Sequence, residues 1–249
     1  MYRLGMVIII GCIATAAVAR DATKELAVPL RFAAQESVAS NSADLPPAVM
    51  ETPVVLRVED GRGPDPMTIG HGTNDDDERF PIRSSVDVLP FISDTAKQVA
   101  GEWGVKQTPA ADRTLTLRLT RFYVEESNKA VGSMYAAEVK FAYSIADKAG
   151  KKLYEGISSG SARRYGRARS ADNCNEVLSD SLKEALANAL SDATLHTAWV
   201  TGKPAASGAA AATSESVEER LRKLDELLQK KLITKEEYDK KRAEILKDL

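Results

Sequence analysis

Hydrophobic positions along this chain fall into two periods, and the changes between them outline the fold. Val54-Val55-Leu56-Arg57-Val58 is a short β-branched run between Pro53 and the turn-forming Asp60-Gly61-Arg62-Gly63-Pro64, which predicts a strand. The stretch from Gly61 to Asp77, with glycines, prolines and the acidic run Asp75-Asp76-Asp77-Glu78, reads as a long loop. From Val86 to Gly104 the spacing becomes helical. Val88/Leu89, Ile92, Ala96, Val99/Ala100 and Trp103 share a face, and Pro90 fits only in the first turn. Period two follows: Leu115, Leu117 and Leu119 alternate with threonine and arginine. Phe122 and Val124 continue one residue out of phase, which predicts a bulge near Arg121. Ala137, Val139, Phe141, Tyr143 and Ile145 alternate with Glu138, Lys140 and Ser144, as in a strand with one wet face. Asp147 to Lys151 supplies a turn, with Gly150 free to take positive φ, and Lys152 to Arg164 forms the return strand. Asn173, with Glu176 three places on, caps a second helix; its stripe is Leu178, Leu182, Ala185/Leu186 and Ala189, and it ends near Trp199.

The order β–α–β–β–β–α over residues 52–200 predicts an α+β domain, an antiparallel-rich sheet with two helices packed on one face. Residues 20–51 lack periodicity and read as an extended N-terminal segment, while 201–215, with glycines, Pro204 and an alanine run, read as a flexible linker. Beyond the linker the helical period returns twice. Ser216 with Glu219, and Thr234 with Glu237, form capping boxes in which hydroxyl and carboxylate serve each other's free N–H groups. Val217, Leu221, Leu224 and Leu228 line one helix; Tyr238, Ile245 and Leu249, with the stem of Arg242, line the other. Two helices of about three turns each make almost no core alone, so residues 216–249 predict a hairpin whose stripes need a neighbour. Those seven apolar residues are the candidate contacts for a second copy of the chain or an envelope protein partner.

Leu224 to Leu246 combines Leu-x-x-Leu, the turn Ile233-Thr234-Lys235-Glu236-Glu237-Tyr238, and a following Lys241-x-x-x-Ile245-Leu246. This wording resembles the SHOCT family of short C-terminal modules, a resemblance that implies oligomerisation or partner docking and no catalytic residues. A second resemblance covers roughly residues 50–195. The strand ending in Asp60-Gly61-Arg62, the helix, the Leu-x-Leu strand ending in Tyr123-Val124, the Tyr135–Ile145 hairpin, the stretch Gly156 to Gly160 and the closing Asn175–Leu190 helix are similar to the YajG-like bacterial lipoproteins. That resemblance implies a cell-envelope component without an active site.

The other end of the chain gives the compartment. Met1-Tyr2-Arg3 precedes an apolar stretch from Leu4 to Ala19, and Ala17-Val18-Ala19 is a small-x-small cut site, so residues 1–19 read as an export signal. A second route is open, because Ile9-Ile10-Gly11-Cys12 looks like a lipobox and makes Cys12 a candidate for lipidation. Both routes place the protein in the periplasm or attached to the outer membrane; the remaining reading is an uncleaved anchor, and under every reading the protein leaves the cytoplasm.

Composition narrows the chemistry. Lys+Arg total 34 against 36 Asp+Glu, a formal charge of −2, so no global field recruits nucleic acid. The only two cysteines, Cys12 and Cys174, form no disulfide framework, and Cys174 reads as a half-buried structural residue. His71 and His196, the only histidines, stand 125 residues apart without ligand-spaced partners, which argues against zinc or a nucleophilic triad. The acidic run lacks the twelve-residue calcium loop pattern. These patterns predict a non-enzymatic protein without a cofactor. One feature stands above background: Arg163, Arg164, Arg167 and Arg169 fall within seven residues at the exit of a strand, around Tyr165. Guanidinium forks pair with phosphate, so these four are candidates for binding anionic lipid or lipopolysaccharide. Their other reading is a charged sheet edge that opposes aggregation. An auxiliary lipid- or glycan-binding subunit of an envelope transport system is the alternative functional class.

Overall fold

A computed structural model describes residues 25–34, 43, 45–74, 78–129, 131–205, 235, 238 and 242. Its elements are β1 (Leu26–Val28), α1 (Pro47–Glu51), β2 (Val55–Asp60), β3 (Thr68–Thr73), β4 (Arg79–Ser84), α2 (Val88–Glu102), β5 (Arg113–Asn128), β6 (Ser133–Asp147), β7 (Lys152–Gly166), α3 (Ala171–Leu190) and α4 (Ala193–Thr201). The seven strands form one sheet in the order β1-β4-β3-β5-β6-β7, with β2 beside β5. The expected α+β class, antiparallel-rich with helices on one face, describes this arrangement.

The long meander β5–β6–β7 is the frame. β5 pairs with β6 from Arg113↔Asp147 to Asn128↔Ser133, broken by a register shift between Leu119 and Arg121. The extra residue, Thr120, moves the inward phase from Leu115, Leu117 and Leu119 to Phe122 and Val124, so both halves still bury their apolar side. The bulge also divides the other edge of β5. β2 lies parallel to Thr114–Leu119, and β3 lies parallel to Val124–Glu126.

Inward residues of the sheet meet Val88, Ile92, Ala96 and Val99 of α2 and Leu178, Leu182, Ala185 and Leu186 of α3, all buried in one core. Each fully buried Leu, Ile or Val contributes about 1.5–3 kcal/mol. α3 comes closest at Gly160, where a Cβ would lie 2.2 Å from the Ser181 carbonyl oxygen and 2.5 Å from the Ala185 nitrogen. Side chains from α3 then lap over the outer edge of β7. Asn188 Nδ2 donates to the Ser159 carbonyl (2.7 Å), and Glu184 Oε2 accepts from the Ser161 N–H (2.7 Å). Farther along the same edge, the Ala205 N–H donates to the Leu153 carbonyl (2.9 Å).

Several sequence expectations need correction. The stretch read as a loop contains β3 and leads into β4. Its glycines mark close approach rather than turns: a Cβ on Gly70 would lie 2.0 Å from the Val124 carbonyl oxygen, and one on Gly72 would strike the Phe80 ring. The N-terminal segment carries β1 and α1, and Pro47 starts α1 because a first-turn proline loses no helical hydrogen bond. Residues 31–33 strap α3, with Arg31 N–H on Asn175 Oδ1 (2.9 Å) and Ala33 N–H on Ser179 Oγ (3.2 Å). α3 is capped by Ser170, whose Oγ accepts from the Asn173 N–H (3.2 Å), rather than by Asn173. The second long helix is two helices, because Asp192 turns its carboxylate onto Thr194 N–H and Leu195 N–H and starts α4 afresh. Pro90 in the first turn of α2 and positive φ at Gly150 agree with expectation.

Candidate functional site

Residues that alternate away from the helices make the outward face of β5, β6 and β7, and their register sets its relief. Cross-strand rows run Arg118–Ala142–Ile157, Arg121–Lys140–Ser159, Tyr123–Glu138–Ser161 and Glu125–Ala136–Arg163. Small Ala142 and Ala136 sit between long neighbours, so the face sinks twice. One hollow of about 400 Å³ is lined by Glu59, Thr116, Arg118, Ala142, Ser144, Lys152, Glu155 and Ile157. The other, about 490 Å³, is lined by Arg121, Tyr123, Glu125, Ala136, Glu138, Ser161 and Arg163. Between them the ridge is ordered by charge. Arg121 lies 4.6 Å over the Tyr123 ring and pairs with Glu138 (2.5 Å), which also takes Lys140 (2.8 Å). Tyr123 OH is 3.0 Å from His71 Nδ1. Exposed pairs of this kind stabilise by at most about 1 kcal/mol, so they shape the surface more than they hold the fold.

A tighter unit borders this face. Asp60 Oδ1 accepts from Arg62 N–H and Nε–H (both 3.0 Å), and Oδ2 accepts from Nη2 (2.7 Å). The Arg62 side chain is 8% exposed, and its hydrogen bond holds the Asp60 carboxyl below the usual range. A Cβ at Gly61 would collide with Arg118, so the turn closes on glycine. This unit braces the β2 exit.

The perturbed titratable groups are structural as well. Asp192 Oδ2 accepts from Tyr143 OH (2.5 Å) and Tyr154 OH (2.6 Å), while Oδ1 caps α4. Burial opposes its charge, but the hydroxyl and N–H donors win and keep the carboxyl below its ordinary value. Burial, then the Asp192 carboxylate, pushes Tyr154 up to about 12 and Tyr143 well above the usual phenol range. Glu126, only 1% exposed, has Oε1 3.0 Å from Tyr135 OH and 2.5 Å from the Arg169 N–H. Tyr135 OH also accepts from the Ser170 N–H (2.9 Å), so the pair fixes the 167–170 turn, where Arg169 has φ 53°. Cys174 is fully rather than half buried, and burial raises its thiol. Among the described residues, no three His, Cys, Asp or Glu side chains stand together to hold a metal.

The four candidate anion-binding arginines are not brought together. Arg164 points inward, tied to Glu176 and, at 3.8 Å, to Asp180 on α3. Arg169 lies 4.6 Å over the Phe80 ring. Arg163 lines the second hollow and Arg167 is exposed, while the Arg167 carbonyl lies 2.5 Å from Tyr135 OH. Strand alternation separates Arg163 from Arg164, since neighbours on β7 face opposite sides, while Arg167 and Arg169 lie past its end in the turn before α3. Of the candidate partner contacts, Tyr238 is helical and half-buried. Val217, Leu221, Leu224, Leu228, Ile245 and Leu249 lie outside the described residues, as do Cys12, the export signal and Asp75 to Asp77.

No protein-family model matches the chain, so neither the SHOCT nor the YajG-like resemblance is matched in that way, and no curated relative matches it either. Similar solved structures include a Xanthomonas campestris protein of the DUF330 family, with a TM-score of 0.43 at 10% identity over 72% of this chain and 96% of that one. A candidate lipoprotein from Caulobacter crescentus gives 0.35 at 14% identity, over 68% and 99%. The PelC dodecamer from Paraburkholderia phytofirmans gives 0.29 at 14%, over 59% and 94%. Likenesses at these scores carry no argument about what this chain does.

Sequence reasoning missed Arg118, Arg121, Tyr123 and Ile157 as neighbours on one surface. The signal was present in the polar phase of the period-two strands; the missing information was register, which decides that alanines floor the hollows.

Proposed function

We propose that this chain is an exported, non-enzymatic envelope protein whose α+β domain is a docking platform and whose hairpin, residues 216–249, joins it to another copy or to a partner protein. The observation that carries the reading is the outward face of β5–β7, left open by the described residues. Small-molecule sites enclose most of their ligand. Here the hollows lie open, floored by alanine and serine and rimmed by charges of both signs, which suits broad contact with a macromolecule. Tyr143, Tyr154, Asp192 and Tyr135 spend their polar atoms on the fold, as does Oε1 of Glu126. The export signal and the two capped apolar stripes support the compartment and the assembly role.

Sedimentation velocity on the full chain and on a chain stopped after Ala205 tests the assembly role. The full chain is expected to form a larger species, and the shortened chain to be a folded monomer with an unchanged β-sheet circular dichroism signal. A full chain that stays monomeric at every concentration and retains no envelope protein in a pull-down sinks the reading.

A further inference from the structure

Resting on that reading of the tail, we propose that the receptor for residues 216–249 is the chain's own outward sheet face, with the hairpin seated in cis over the hollow between Arg118 and Ile157. The last described residue before the tail lies near it. α4 closes on Gly202 in the left-handed conformation, and Ala205 is fastened by its N–H to the Leu153 carbonyl at the edge of β7. The tail therefore departs beside Lys152, a rim residue of that hollow. A flexible chain of ten residues, the number from 206 to 215, has a root-mean-square span of about 16–19 Å. Crossing from β7 to β5 takes two strand spacings, about 10 Å, so the tail reaches the hollow without strain.

The hollow offers an apolar point within a charged rim. Ile157 is 42% exposed, an apolar side chain standing beside the low floor of Ala142 and Ser144. The ridge Leu221, Leu224, Leu228 is a narrow apolar line flanked by acidic and basic residues. Glu59 and Glu155 with Arg118 and Lys152 give the hollow a rim of both signs. A tether of only ten residues raises the effective concentration of the tail at this surface to the millimolar range, so its own chain outcompetes a second copy in dilute solution. Assembly then proceeds by exchange: the same contact forms between copies when tails swap, which makes oligomers concentration-dependent and slow to equilibrate.

Cysteine pairing reads the contact directly. The full chain carrying Cys12→Ser, Ile157→Cys and Leu224→Cys retains one other thiol, Cys174, which is buried. Oxidised at micromolar dilution, most molecules are expected to form a link within one chain, seen as a shifted monomer band on a non-reducing gel. No link, or links only between chains, overturns the proposal. Hydrogen exchange supplies an independent measure. Amides of residues 217–246 are expected to exchange at least tenfold faster in Ile157→Asp than in the unsubstituted chain, and equal rates overturn the proposal. Sedimentation of the unsubstituted chain keeps the two readings apart. A tail-dependent oligomer without the cis link leaves assembly standing and removes this receptor; a cis link in a permanent monomer does the reverse.

Discussion

Asp192 shows how much one side chain can decide. Its carboxylate closes off α4 and receives two tyrosine hydroxyls from neighbouring strands, so it ties the α3–α4 break to the sheet. The linked pH dependence follows from the directions of the shifts. Asp192 is held below its unfolded value near 3.9, so its contribution is present above that value and fades as pH falls through the folded value. Tyr154 is raised to about 12, so its contribution is full below about 10 and is lost as pH rises through about 12. Urea midpoints are expected to be level from pH 5 to 9 and to fall on both sides, with Tyr154→Phe flattening the alkaline limb. An unchanged alkaline limb in that variant would remove Asp192–Tyr154 as its source. None of this was legible in the sequence. Tyr143 and Tyr154 precede Asp192 by 49 and 38 residues, and local periodicity carries no information about such encounters.

Elements were legible where one period ran long enough to dominate. α2, β5 with its bulge, β6, the Gly150 turn and β7 follow directly from alternation and helical spacing. β3 stayed hidden because its glycines serve close packing against Val124 and Phe80, and glycine reads as a turn when its neighbours are unknown. α3 and α4 read as one helix because the apolar spacing passes over Asp192 without interruption. Gly160 and Gly150 make a paired test of the two uses of glycine. Gly160→Ala drives a Cβ into the backbone of α3 and is expected to cost about 3 kcal/mol, as other overpacked core sites do. Gly150→Ala meets open space and only the strain of φ 80°, about 1 kcal/mol. Equal urea-derived losses would show that α3 yields easily and that its seat on β7 is loose.

At the scale of the molecule, the N-terminal strap belongs to the domain. β1 extends the sheet beside β4, and Val28 and Leu30 are buried in the common core. Removing residues 20–34 is expected to lower unfolding free energy by about 3–6 kcal/mol, from two buried aliphatic side chains; a chemical melt of the shortened chain checks it. A deletion without effect would make the strap a passive leader, as its irregular sequence implied. Of the candidate site, the sequence made the polar phase of each strand visible and left the relief invisible, because a hollow depends on which alanine lies opposite which arginine.

The outermost strand has a further consequence. Asn188, Glu184 and the Ala205 amide already occupy hydrogen-bonding groups along β7, at Ser159, Ser161 and Leu153. A stranger's backbone arriving there finds the seats taken at three places along a long strand. Runaway stacking of sheets into fibres is thereby obstructed on that flank, and the protein can be concentrated with that end of its ladder closed to further rungs.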